Sequence, residues 1–140
     1  MVRKRRKQRL PKPTGAELEL LRVLWERGPS TVREVHEALG TDTGYTTTLK
    51  LFQLMAEKGL VTRDATQRSH IYSAVSEAET TQRQLVSDLL QRAFGGSPTK
   101  LVVQALSETR ATADELAEIR QLLDELESKQ QNAKGKNTRK

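Results

Sequence analysis

Thr46, Leu49, Lys50 and Gln53 fall at steps of three and four residues, so a helix drawn through them carries all four on one face. Such a row performs no covalent chemistry, but it can read base edges. Gln pairs bidentately with adenine, Lys reaches guanine or a phosphate, and Thr or Leu touches a thymine methyl. Thr47 borders the row, and Tyr45 and Thr47 can add hydroxyl contacts to a phosphate held at the helix start. Further along, Arg63, Arg68 and His70 can reach the DNA backbone or the minor groove. Other chemistries lack their residues. The chain has no cysteine, which removes thiol nucleophiles, disulfides and thiolate metal sites. His36 and His70 stand too far apart and too isolated for a metal site. No nucleophile–base pair, phosphate-binding glycine loop or metal spacing is present, so neither an enzyme nor a cofactor or metal is expected.

The elements that would carry the row follow from capping and periodicity. Thr14 and Glu17 form a capping box for a first helix, with Leu18, Leu21, Leu24 and Trp25 inward, ended by Gly28-Pro29. Ser30 is placed to cap a second helix with Val32, Val35 and Leu39 inward, closed by Gly40. A polar turn, 41–44, leads into a third helix, 45–58. Its inner face is Thr48, Leu51, Phe52 and Met55, opposite the row, and Gly59 stops it. Residues 60–63 and 69–74 read as two strands around the turn 64–68, with Tyr72 packing the hairpin onto the helices. Helix, helix, turn, helix and hairpin is the winged helix-turn-helix order, whose third helix fits the major groove. The fold class expected is mostly α with a small β-hairpin: a winged helix at 14–75 and a helical dimerisation region at 76–128.

That second region reads as three helices. One runs from a Ser76–Glu79 capping box to Phe94 and breaks at Gly95-Gly96, and one spans 98–108. The third follows a Thr112–Glu115 box to about Ser128. These segments are rich in leucine but too short to bury it alone, and a twofold dimer resolves that. The dimerising positions expected are Leu85, Leu89, Leu101, Val102, Leu106, Leu116, Ile119, Leu122 and Leu123.

Charge by itself misleads. The formal net charge is +6, yet residues 1–13 hold seven bases and residues 129–140 five, with no acid in either. The body between them has 12 bases against 18 acids. Both ends are read as disordered basic tails, the first either lying along DNA or simply solubilising. Residues 14–75 hold seven bases and eight acids, which gives weight to an alternative: a winged-helix protein-interaction module without specific operator binding. No apolar run approaches the roughly 20 residues of a membrane span, and no apolar stretch follows the basic N-terminus. A cytoplasmic chain, nucleoid-associated when bound to DNA and not inserted in a membrane, is expected.

Five segments together resemble the penicillinase-repressor family of BlaI, MecI and CopY type. They are ELELLRVLWERGPSTVREV at 17–35, GYTTTLK at 44–50, EKGLV at 57–61, FGGS at 94–97 with LVV at 101–103, and ELAEIRQLL at 115–123. The resemblance covers residues 14–127. It implies a homodimeric repressor on a palindromic duplex operator, linked to β-lactam resistance or stress-responsive genes. It also implies a membrane sensor-protease acting upstream and cleaving within the dimerisation region. In the family's best-known members the scissile pair is Asn-Phe just after the Gly-Gly junction. The corresponding residues here, Gln104-Ala105, depart from it, which counts against cleavage there. The cysteine motif of copper-responsive members is also missing. Thr46 and Leu49 stand where the β-lactam repressors place basic residues, so a different operator is implied.

Overall fold

Threonine and glycine punctuate the first half of the chain into three helices and a hairpin. The computed structural model describes residues 11–40 and 43–138. Helix α1, Gly15–Arg27, starts at the expected box. The Thr14 N–H donates to Glu17 Oε1 at 2.9 Å, and the Glu17 N–H donates to Thr14 Oγ1 at 3.2 Å. Helix α2, Val32–Leu39, is capped by Thr31 with Glu34 as the reciprocal partner, not by Ser30. Ser30 is buried and committed elsewhere. Its N–H donates to the Tyr72 carbonyl at 3.0 Å, and its carbonyl accepts the Tyr72 N–H at 2.8 Å. The backbone of Ser30 is thus a short third rung beside the hairpin, and the next hydroxyl in line takes the cap.

Helix α3, Tyr45–Lys58, ends where Gly59 turns left-handed at φ 89°. The expected turn at 41–44 lies partly outside the described residues. Strands β1, Val61–Asp64, and β2, Ile71–Ala74, pair antiparallel from Val61↔Ala74 to Asp64↔Ile71. The strands sit slightly later than the apolar pattern alone places them. Asp64 joins the ladder and also braces the turn, accepting from the Thr66 N–H at 2.9 Å and hydroxyl at 2.7 Å. The wing turn is therefore an Asx-type turn.

The core is drawn from every one of these elements: Leu20, Leu21, Val23, Leu24, Val32, Val35, Phe52, Met55, Leu60, Val61 and Tyr72. Phe52 and Tyr72 lie ring against ring at 4.7 Å, both essentially inaccessible to water. Burying either ring contributes about 1.5–3 kcal/mol by area removed from water. Leu51, expected inward, is half-buried at the margin of the core. Trp25 is also marginal, and its indole Nε1–H donates to the Ser76 carbonyl at 2.9 Å.

Helix α4 runs Ala78–Phe94, starting after the expected Ser76–Glu79 box because the Ser76 carbonyl serves Trp25 and the Glu77 carbonyl accepts from Thr80 and Thr81. The chain divides into two compact units within α4, after Leu89, and not at the expected 75/76 boundary. Buried Thr81 and the Trp25–Ser76 bond fasten the early turns of α4 to the first unit. The described end of the basic N-terminal segment joins this unit too. Pro13 is buried, and Lys12 Nζ meets Asp88 Oδ2 at 2.7 Å. Residues 1–10 of the expected arm lie outside the described residues.

The second unit holds the end of α4, helix α5, Pro98–Glu108, and helix α6, Ala113–Thr138. Gly95 and Gly96 both take positive φ, 56° and 82°, and the Gly96 N–H closes on the Leu90 carbonyl at 2.8 Å. Thr112 and Glu115 form the expected box at the head of α6. The helix does not stop near Ser128: it continues through ten more residues whose charge alone reads as tail. Lys, Gln and Ala dominate residues 129–134 and are good helix formers, and no proline intervenes. Arg139 and Lys140 lie outside the described residues.

Candidate nucleic-acid interface

Helix α3 is held by its inner side, which frees its outer side. Thr48, Phe52 and Met55 are buried. Thr48 is also the joint between α2 and α3: its hydroxyl shares a hydrogen bond with His36 Nδ1 at 3.0 Å and reaches the Gly44 carbonyl at 3.5 Å. His36, set aside above as a metal ligand, is thus a polar fastener between the two helices of the motif. Below them, buried Glu17 of α1 meets Lys58 Nζ of α3 at 2.6 Å. Burial would raise the Glu17 pKa, but the hydrogen bonds from Lys58 and Thr14 and the Lys58 charge outweigh it and hold the carboxyl below its ordinary value. The second end of α3 is therefore tied to the first helix by charge.

On the outer side, Tyr45, Thr46, Thr47, Lys50 and Gln53 are exposed. Leu49 is less open than its neighbours on the row. It is half-buried and packs against the core, so its side chain is shared between support and surface. Gly44 brings no capping side chain; its carbonyl accepts from the Thr47 N–H at 3.1 Å, and the first two N–H groups of α3 have no side-chain cap. Arg63 is exposed on β1, and Arg68 and His70 are exposed in the wing turn.

A groove of about 370 Å³ lies between the start of α3, the start of α2 and the wing. It brings Tyr45, Leu49, Arg68 and His70 together with Thr31, Val32, Arg33, Ser69 and Tyr72. Thr46, Thr47, Lys50, Gln53 and Arg63 are not among its walls. Arg33, not singled out from the sequence, lies with its guanidinium carbon 5.1 Å from the Tyr45 ring centroid. His36 meets the same ring edge-on at 5.7 Å. A signal for Arg33 does exist in the sequence. A base in the first turn of a helix opposes the helix dipole, and such local conflicts mark positions with another task.

The positions expected to dimerise lie mostly in the open. Leu89, Val102, Leu106, Leu116, Leu122 and Leu123 are exposed; Leu85, Leu101 and Ile119 are half-buried. No residue of α5 is buried. Gln104 and Ala105 sit inside α5, both exposed, and the Ala105 carbonyl accepts from the Thr109 hydroxyl at 2.8 Å. Among the described residues there is no group of three or more His, Cys, Asp or Glu able to hold a metal ion. Among them, too, no helix is long and apolar enough to cross a membrane.

The profile of the family described as Penicillinase repressor matches residues 13–125. The chain is 36% identical over 108 residues to the protein named "Transcriptional regulator BlaI" in Mycobacterium tuberculosis strain CDC 1551 / Oshkosh, covering 75% of this chain and 78% of that protein. The same figures hold for strain H37Rv. Among solved structures, the DNA-binding domain of the repressor BlaI aligns with a TM-score of 0.46 and 21% identity over 50% of this chain and 88% of that one. A cysteine-to-serine mutant of MarR from E. coli, complexed with operator DNA, aligns with a TM-score of 0.47 and 18% identity over 81% and 75% of the two chains. The sequence matches carry the assignment: the chain belongs to the penicillinase repressor family, which is a family of transcriptional regulators and not of enzymes.

Proposed function

We propose that the chain is a homodimeric transcriptional repressor that reads a palindromic duplex operator with the outer side of α3. The observation that carries this reading is the exposed row Thr46, Thr47, Lys50 and Gln53 on a helix anchored by its opposite face, with an uncapped N-terminus beside the wing. Lys50 and Gln53 have the donors for base edges, and Tyr45, Thr47, Arg63, Arg68 and His70 for phosphates or the minor groove. Leu49 offers its exposed edge to a thymine methyl. The exposed leucines of α5 and α6 are the surface on which a second copy docks, presenting two winged helices to the two half-sites. The work is cytoplasmic, on the nucleoid.

Footprinting on DNA upstream of the chain's own gene tests the reading, with Lys50→Ala/Gln53→Ala as the control. A lost base contact costs about 1–3 kcal/mol, so the double variant binds the protected site at least about tenfold weaker while keeping its thermal midpoint. Undiminished binding by the double variant would refute the assignment of α3 as the reading helix.

The family suggests target genes of β-lactam resistance or stress response, and release by a membrane sensor-protease. In this chain the Gln104-Ala105 bond is the position to watch. An intact chain after β-lactam exposure, with the target genes induced, would remove cleavage from the mechanism.

A further inference from the structure

The groove between α2, α3 and the wing has a composition unlike the rest of its domain. Residues 14–75 carry one more acid than base, yet the groove walls hold two arginines, a histidine and no acid. Arg33 has no salt bridge among the described residues; its guanidinium faces the Tyr45 ring. Thr31 and Ser69 line it on either side. The wing wall is fixed to the helix wall because Ser30, one residue before the α2 cap, bonds the Tyr72 backbone in both directions. The groove is therefore a preformed cluster of cations and donors at the rim of the face that carries Lys50 and Gln53.

We infer that this groove is a clasp for one phosphodiester of the DNA backbone, with Arg33 as its anchoring cation and Tyr45 as the residue that positions Arg33. The inference rests on the DNA-binding reading above and deepens it. Arg33 presents a planar fork of donors that suits two phosphate oxygens. A free arginine loses rotamer freedom on binding. One laid over an aromatic face is already restrained, and the stack contributes without neutralising its charge. Tyr45 thereby acts through its ring, in addition to the hydroxyl contact expected of it from the sequence. Arg68 and His70 close the clasp from the wing.

The test uses the full chain, the duplex protected in footprinting and a scrambled duplex, titrated across salt concentrations. A phosphate contact is blind to sequence, so Arg33→Ala weakens binding to both duplexes by about three- to tenfold and lowers the slope of log affinity against log salt by about one. Tyr45→Phe keeps the ring face and with it the parent's salt slope, since a neutral hydroxyl releases no counterion. Tyr45→Leu reproduces the Arg33→Ala loss, including the lower slope, and the double variant Arg33→Ala/Tyr45→Leu is no weaker than either single one. A merely structural role for Tyr45 would move the thermal midpoint and leave the salt slope alone. A parent chain that binds neither duplex removes the DNA-binding reading itself. A parent that binds, with an Arg33→Ala variant of equal affinity and slope, overturns the clasp alone. So does inorganic phosphate that protects Arg33 from chemical modification without competing with DNA, since the groove then serves a free phosphate.

Discussion

Buried charge is where single residues weigh most. Glu17 gives its carboxylate to two donors at once: the Thr14 N–H at 2.9 Å and Lys58 Nζ at 2.6 Å. Its pKa lies below the ordinary 4.5 in the folded chain, so the unfolded chain binds the proton more readily. The stability this carboxylate supplies is complete above pH about 4.5 and drains away as the pH falls through the lower folded value. Urea unfolding at pH 7 and in the acid range should show that loss in the parent and a flatter profile in Glu17→Gln. Lys58→Met should cost about 1–2 kcal/mol at pH 7, less than a fully buried pair because Lys58 is partly in water. An unchanged midpoint in Lys58→Met would show the pair to be idle. The sequence announces Glu17 as a capping-box residue, and the box is there. It cannot announce Lys58, 41 residues away, because the pairing is created only when α1 and α3 pack. The same holds for Arg33 over Tyr45: each lies in a legible helix, but the contact belongs to the angle between two helices.

Elements are more legible than contacts, because caps and periodicity are local. The order of three helices, hairpin and three further helices follows from threonine caps, glycine stops and apolar spacing, and it is the order found. The misplacements share one cause. Ser30 and Ser76 both look like caps, and both have backbone groups already engaged with distant residues, Tyr72 and Trp25. Gly59 shows how far a stop signal can be trusted. Its φ of 89° is left-handed, and an added Cβ would meet nothing within 4 Å. The penalty for Gly59→Ala is thus purely conformational, about 1–2 kcal/mol, with no clash to blur it. Thermal unfolding checks it. A neutral Gly59→Ala would mean that the turn between α3 and β1 tolerates a right-handed path.

At the scale of the whole molecule, the buried apolar core lies in one of the two units. All buried apolar residues of the core lie between Leu20 and Tyr72, while Leu122 and Leu123 of α6 are half open to water at 51% and 55%. Placing Glu at both positions should leave the winged helix folded by circular dichroism and convert the proposed dimer to a monomer by sedimentation. A dimer that survives both charges would place the interface elsewhere. Leucine density flags this region in the sequence, but not its extent. The basic residues after Ser128 look like tail on charge alone, while the helix formers at 129–134 carry α6 onward, and it runs to Thr138.

The self-contained core has a bearing on how such a regulator lets go of its target. Because α5 and α6 contribute nothing to that core, severing them would not melt the winged helix; in the proposed dimer it would leave two intact readers no longer tethered to each other. Each would then find its half-site alone, without the raised local concentration that a linked partner supplies, a factor on the order of 10²–10⁴ in apparent affinity. Derepression would be a loss of avidity in a chain that is still folded. It could be reversed by supplying more protein, and it would be visible as a faster off-rate with the half-site contacts unchanged.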